Sequence, residues 1–206
     1  MIEYPKIQTL FKRDTNGRII EGDFTLPEFE YLKDNIWVFT EKVDGTNIRV
    51  MFNNQGVFAY KGRTDNSQIP VFLRDKLEKL FQGKKLPNQQ EMCLYGEGYG
   101  ARIQKSGENY IRDGVDFVLF DVRVADLWLM REDVEEIASA FGIKVVPIIG
   151  EGTLTDMVEI VKKGFKSQWG DFIAEGIVAR PKVELQNRCF ERIITKIKHK
   201  DFVKEG

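Results

Sequence analysis

The sequence predicts an α+β fold of largely antiparallel sheets flanked by helices, and three observations predict it. A series of short segments is enriched in β-branched and aromatic residues, the composition of strands. Three longer stretches repeat apolar residues at helical spacing and carry helix start or stop signals. The two kinds of segment do not alternate strictly, so a doubly wound parallel sheet is disfavoured.

Taken in chain order, a short helix is expected around residues 27–32, followed by strands at 36–44, 48–53 and 57–60. Pro70 suits a first helical turn. Leu73, Leu77, Leu80 and Phe81 then share one helix face, and Gly83 ends the run. Strands at 92–95 and 115–124 precede a second stripe, Val134, Ile137, Ala138 and Phe141, closed by Gly142. After a strand at 144–149, Thr153 with Asp156 three residues on resembles a capping box ahead of Leu154, Met157, Val158 and Val161. Strands at 176–180 and 192–198 complete the series. No repeat and no Pro/Gly/Ser-rich linker interrupts it, so one domain over residues 1–206 is expected.

Composition narrows the function. With 42% hydrophobic and 31% charged residues in 206, the chain can fill an ordered core, which excludes intrinsic disorder. It has no run of about 18 apolar residues and no basic-then-apolar leader, so a membrane span and secretion are not expected and a cytoplasmic setting is. Cys93 and Cys189 cannot form a disulfide framework, and with His199 as the sole histidine no zinc cage can be assembled. Covalent chemistry must therefore run mainly through Lys, Asp or Glu. A net charge of −1 removes global positive charge as a sign of nucleic-acid binding, so local patches must carry that case.

The segment Thr40-Glu41-Lys42-Val43-Asp44-Gly45-Thr46-Asn47-Ile48-Arg49 is the most informative. Apolar strands on both sides of Asp44-Gly45 give a hairpin-like signal. Alternation would put Lys42 and Asp44 on one strand face with Val43 on the other, and Lys196 and Lys198 opposite Thr195 and Ile197. On these residues alone, solvent-facing charges at strand ends explain the pattern equally well.

Further fragments extend it in order: Lys61-Gly62-Arg63-Thr64, Leu94-Tyr95-Gly96-Glu97, Phe117 to Asp121, Glu175-Gly176-Ile177-Val178-Ala179-Arg180 and Lys196-Ile197-Lys198. With Glu41-Lys42-Val43-Asp44-Gly45-Thr46-Asn47 they resemble the motif set of the covalent nucleotidyltransferases, the superfamily of ATP-dependent polynucleotide ligases and messenger-RNA capping guanylyltransferases. The closest resemblance is to the RNA ligase 2-like family. It implies an ATP-grasp-like nucleotidyltransferase core and an ATP-dependent RNA ligase that joins 5′-phosphate and 3′-hydroxyl ends through AMP held covalently on Lys42, with Mg²⁺ or Mn²⁺.

The chemistry accounts for the residue types. A lysine amine attacks the α-phosphorus of a nucleoside triphosphate only when unprotonated. Asp44 favours the ammonium, so it is not the activator of Lys42; Lys196, Lys198 and a divalent cation favour the free amine and neutralise the phosphates. Asp44 would contact a nucleotide or nucleic-acid hydroxyl or a metal-bound water, three possibilities that the sequence leaves open. The resemblance further implies that Glu97 binds the ribose beside a permissive Gly96, that Phe120 stacks on adenine, and that Glu175 orients metal-bound water. It also implies that Arg63 contacts nucleotide or nucleic-acid phosphate, that Asn47 assists near the reacting end, and that Glu41 recognises the base through its backbone.

Between residues 180 and 200, Arg180, Lys182, Arg188, Arg192, Lys196, Lys198 and Lys200 outnumber Glu184 and Glu191, a local surface for phosphate that Arg102 and Lys105 could extend. RNA ends or a nicked duplex are the implied partners, with DNA not separated from RNA. Relatives usually carry an OB-fold or another domain after the last motif, whereas only His199 to Gly206 follow here. The chain is then a minimal ligase, a form that would suit a virus-encoded enzyme, a piece of a longer protein, or a subunit that relies on an accessory protein or domain for that role. A minimal DNA ligase, a capping guanylyltransferase and a non-catalytic nucleic-acid end-binding module are the alternatives.

Overall fold

Apolar alternation in the strands and helical stripes between them build two separate cores. The structure, a computed structural model, describes residues 3–84 and 90–203. The chain forms two compact units, one of residues 1–5 and 44–146, the other of residues 6–43 and 147–206. Residues 6–43 contribute β1 (Gln8–Thr9), β2 (Phe11–Arg13), β3 (Ile19–Phe24), α1 (Pro27–Tyr31) and β4 (Trp37–Glu41). Residues 44–146 form β5 (Thr46–Phe52), β6 (Phe58–Gly62), α2 (Val71–Phe81), β7 (Met92–Gly100), α3 (Gly107–Tyr110), β8 (Val115–Val124), β9 (Leu127–Trp128), α4 (Arg131–Phe141) and β10 (Lys144–Val145). The remainder adds β11 (Ile148–Gly152), α5 (Leu154–Lys163), β12 (Gly176–Pro181), β13 (Thr195–Lys198) and a closing 3-10 turn (His199–Asp201).

In the unit of residues 44–146, strands run in the order β10-β8-β7-β5-β6, with β9 on β8. One sheet face packs Ile48, Val50, Phe52, Leu94 and Phe117 against Leu73, Leu77 and Phe81 of α2 and Val134, Ala138 and Phe141 of α4. These are the two helical stripes read from the sequence.

The other unit orders its main sheet β1-β13-β12-β4-β11 and adds the β2-β3 ribbon. Trp37, Phe39, Ile177, Ala179 and Ile197 bury against Leu154, Met157, Val158 and Val161 of α5. The capping box forms: the Asp156 N–H donates to Thr153 Oγ1 at 3.2 Å, and the Thr153 N–H donates to Asp156 Oδ2 at 2.9 Å. Pairing is antiparallel except for β1 with β13 and β10 with β8, in line with the predicted fold class.

Three expectations change. Asp44-Gly45 is not a hairpin turn, because β4 and β5 belong to different sheets. Trp37 and Phe39 enter one core while Ile48, Val50 and Phe52 enter the other, so the two strands cannot pair. The strand expected at 144–149 splits at Pro147, which lacks an N–H; β10 joins β8 and β11 joins β4. Finally, the strand expected at 36–44 ends at Glu41, although the alternation runs on past it: Lys42 and Asp44 are half-buried and Val43 between them is buried.

Candidate active site

Ladder register brings three predicted residues together. β12 lies between β4 and β13, with Ile177 opposite both Glu41 and Ile197 and Gly176 opposite Lys198. The ladder continues past the strand ends: the Lys42 N–H donates to the Gly176 carbonyl at 2.9 Å, and the His199 N–H donates to the Glu175 carbonyl at 2.9 Å. Lys42 and Lys198 therefore flank the start of β12, where Glu175 stands. Its Oε2 accepts from Lys42 Nζ at 2.7 Å and its Oε1 pairs with Lys198 Nζ at 2.6 Å. One half-buried carboxylate thus bridges two half-buried ammonium groups. Alternation holds on β13 as well: Thr195 and Ile197 are buried, and Lys196 and Lys198 share the half-exposed face. His199 is tied by Nδ1 to the Val161 carbonyl at 2.7 Å, at the end of α5.

Glu41 has a different task from its neighbour. Alternation from Trp37 and Phe39 turns it to the core side, where it is 1% exposed. Its Oε1 accepts from the Ser167 hydroxyl at 2.5 Å and its Oε2 from the Gln168 N–H at 2.8 Å. Burial pushes its carboxyl above the ordinary glutamate range, opposed by the Gln168 N–H and the Ser167 hydroxyl. Its own N–H donates to the Pro147 carbonyl. The side chain is committed to pinning the 167–169 loop, and the backbone N–H is already used.

The remaining predicted residues lie in the unit of residues 44–146, mostly on the sheet face opposite the α2 and α4 core. Asp44 Oδ2 accepts from the Ser106 hydroxyl at 2.5 Å, and the Asp44 N–H donates to the Tyr110 hydroxyl at 3.1 Å. The Gly45 carbonyl accepts from Gln104 Nε2 at 3.0 Å. A side chain at Gly45 has no room, since its β-carbon would fall 2.3 Å from the Gly98 carbonyl oxygen and 2.7 Å from Glu97 Cγ. Asn47 faces Glu97 directly across β5 and β7, which puts both on one face at cross-strand contact range. Asn47 Oδ1 is buried with no hydrogen-bond partner among the described residues, an acceptor whose desolvation a ligand donor would offset. Phe120 occupies the β-bulge between β7 and β8 and packs edge-on against Tyr4 with ring centroids 5.0 Å apart.

Gly96 serves the strands rather than a ligand. A β-carbon there would meet the Phe117 ring at 2.3 Å and the Val118 carbonyl at 2.4 Å, so its absence permits β7 to close on β8 at the bulge.

Arg63 is exposed on the loop after β6. The residue that shapes this loop is Arg49, which sequence reasoning left without a role. It is 1% exposed, donating through Nε to the Gly62 carbonyl at 3.0 Å and through Nη2 to Asp65 at 2.8 Å. Arg49 first, then Lys61, holds the Asp65 carboxyl below its usual range. The signal was available: a charged residue inside the apolar run Ile48 to Phe52 needs hydrogen-bonding partners once it is buried. Cys93 is buried, and desolvation pushes its thiol up, which removes it as a nucleophile.

Among the described residues, no group of three or more His, Cys, Asp and Glu side chains forms a metal-ligand set. A caged ion is not what these residues fit. A hydrated Mg²⁺ needs only one or two carboxylates beside its waters and substrate phosphates, and Glu175 suits that role once it releases a lysine.

The fold is similar to solved structures of the Naegleria gruberi RNA ligase. A ligand-free mutant has TM-score 0.63 and 19% identity over 98% of this chain and 63% of that one. A mutant with ATP and manganese has TM-score 0.64 and 18% identity over 99% and 60%, and the ligase with pyrophosphate has 0.60 and 20% over 95% and 61%. This chain thus spans somewhat over half the length of those proteins. No curated protein is a match. No helix among the described residues is long and apolar enough to cross a membrane. The family model for RNA ligases matches residues 35–198, from just before β4 to the end of β13, and the chain belongs to the RNA ligase family.

Proposed function

We propose that the chain is the nucleotidyltransferase module of an ATP-dependent RNA ligase with Lys42 as its nucleophile. The observation that carries this reading is the Lys42–Glu175–Lys198 bridge, formed by residues of three separate motifs on adjacent strands. In the resting arrangement Glu175 neutralises the Lys42 ammonium. When Glu175 releases it, Nζ is free to turn to the nucleotide, with Lys198 on the neighbouring strand placed to meet the phosphates.

Lys42 Nζ then attacks the α-phosphorus of ATP and pyrophosphate leaves. The AMP passes to a 5′-phosphate, and a 3′-hydroxyl displaces it to close the phosphodiester. Lys198 and Lys196 stabilise charge on the phosphates; Asn47 and Glu97 offer polar groups to the nucleotide, and Phe120 its ring face. A divalent cation, as in the Naegleria ligase solved with ATP and manganese, would neutralise the triphosphate, with Glu175 holding it through bound water.

Incubation with α-phosphate-labelled ATP and Mg²⁺ should label the protein covalently, and Lys42→Ala should abolish the label. Labelling that survives Lys42→Ala overturns the assignment. The same assay with GTP separates a guanylyltransferase, and sealing of nicks with RNA or DNA on the 3′-hydroxyl side separates a DNA ligase.

A further inference from the structure

The turn between β12 and β13 carries a residue that neither its backbone nor its surroundings favour. Phe190 has φ of 60° and is 84% exposed. A bulky side chain at positive φ is an outlier, and an aromatic ring in water forgoes its burial. Yet the turn is firmly built. The Phe190 N–H donates to the Asn187 carbonyl at 3.0 Å, and Asn187 Oδ1 accepts from the Cys189 and Glu191 N–H groups at 2.9 and 3.0 Å. The Asn187 N–H returns to the Glu191 carbonyl at 2.9 Å, below the Gln186–Arg192 bridge. A rigid tip thus holds one ring out to solvent where Gly or Asn would be the ordinary choice.

Beside this turn lies a groove of about 490 Å³ whose lining includes Tyr31, Leu185, Arg188 and Ile193. Tyr31, on α1, is 86% exposed. Arg188 is exposed and supplies a planar cation, and the segment from residue 180 to 200 is rich in Lys and Arg. At the tip itself Asn187, Arg188, the exposed Cys189 and Glu191 flank the Phe190 ring, so the apolar surface it offers is about one ring wide. Isolated aromatic rings with an adjacent Arg match the requirements of unstacked bases, whose faces stack on rings while phosphates meet cations.

We infer that this tip is an RNA-strand contact: Phe190 stacks on a base of single-stranded RNA, and Arg188 pairs with a neighbouring phosphate. The inference rests on the RNA-ligase reading and deepens it. The probe is a 5′-phosphorylated single-stranded oligonucleotide, followed by fluorescence anisotropy over a range of salt. Phe190→Ala should weaken binding roughly 5- to 100-fold with the salt slope unchanged, since stacking releases no counterions. Phe190→Trp should restore affinity. Phe190→Gly should lose affinity yet melt no lower than the parent, because glycine relieves the positive φ.

Unchanged affinity in both Phe190→Ala and Phe190→Gly overturns the inference. So does a change in sedimentation without a change in RNA affinity, which would assign the tip to a second copy of the chain. Covalent labelling of the unsubstituted protein is measured in parallel. If labelling fails, the ligase reading falls; if labelling succeeds and Phe190 is indifferent to RNA, only this contact falls.

Discussion

The two units hold their predicted site residues by different means. In the unit of residues 6–43 and 147–206, Lys42 and Lys198 both pair with Glu175, at positions set by three adjacent strands. In the unit of residues 44–146, Asp44, Asn47, Glu97 and Phe120 are set by backbone shape: a turn with no room for a β-carbon, a cross-strand register and a β-bulge. The first arrangement suits a step in which charge is made and moved; the second suits recognition, where a rigid surface meets a fixed partner. Substitutions should therefore couple strongly within the charged cluster and act through geometry in the other unit.

The largest expected effect tests the charged cluster. Glu175→Gln and Lys198→Ala should each slow covalent labelling roughly 10²–10³-fold, the scale for losing one preorganised electrostatic group. Because Glu175 touches both lysines, the double variant should fall well short of the product of the two single losses. Rates of labelling for the four proteins in a mutant cycle measure this. Strict additivity would mean that the bridge does not work as a unit.

The same contrast explains what the sequence could reveal. The charged cluster was legible because Lys42, Glu175 and Lys198 fall in fragments that resemble, in order, the motif set of one family; spacing alone left solvent-facing charges as an equal explanation, and it is antiparallel pairing of β4, β12 and β13 that makes the three neighbours. Which carboxylate would bridge which lysine was not legible, since that depends on register between strands far apart in the chain. Helices α2, α4 and α5 were readable from apolar period and caps. The run beyond Tyr95 was hidden because Gly96, Gly98 and Gly100 erase the strand signal while β7 continues to Gly100. Strands β1 to β3 are short and mostly polar, so local pattern passed over them; they gain their place by pairing, β1 with β13 and β2 with β3. Asp44-Gly45 looked like a hairpin because turn chemistry is local, whereas the choice of sheet is made by the two cores.

A smaller effect is expected where shape rather than charge is the constraint. Gly45→Ala drives a β-carbon into the Gly98 carbonyl, which is backbone, and against Glu97 Cγ, near the root of its side chain, so relief requires a shift of β7 or of the segment at Asp44. Overpacking of this kind costs about 1–3 kcal/mol, and a displacement of about 1 Å at reacting groups can cost roughly 10²-fold. Thermal melting together with labelling kinetics should show both losses. A Gly45→Ala protein with parental melting and parental labelling would mean that the turn adapts, and the contrast between rigid shape and coupled charge would weaken.

The smallest expected effect sharpens the boundary of the charged cluster, because Glu41 adjoins Lys42 in sequence yet turns into the core. Burial raises its carboxyl in the folded state above its ordinary value of 4.5, so the native protein binds the proton more tightly than the unfolded chain. Stability supplied by the protonated acid is then present at pH below that ordinary value and is lost as pH rises through the raised one. Glu41→Gln has nothing to titrate. The melting temperature of the parent relative to Glu41→Gln should accordingly fall as pH rises across that window and level off above it. A relative melting temperature that rises with pH would mean that the Ser167 hydroxyl and Gln168 N–H stabilise the carboxylate more than burial penalises it. Glu41 would then behave like Glu175, as a carboxylate whose charge is matched by its neighbours, and the division between a charged cluster and a core-facing pin at this strand end would have to be redrawn.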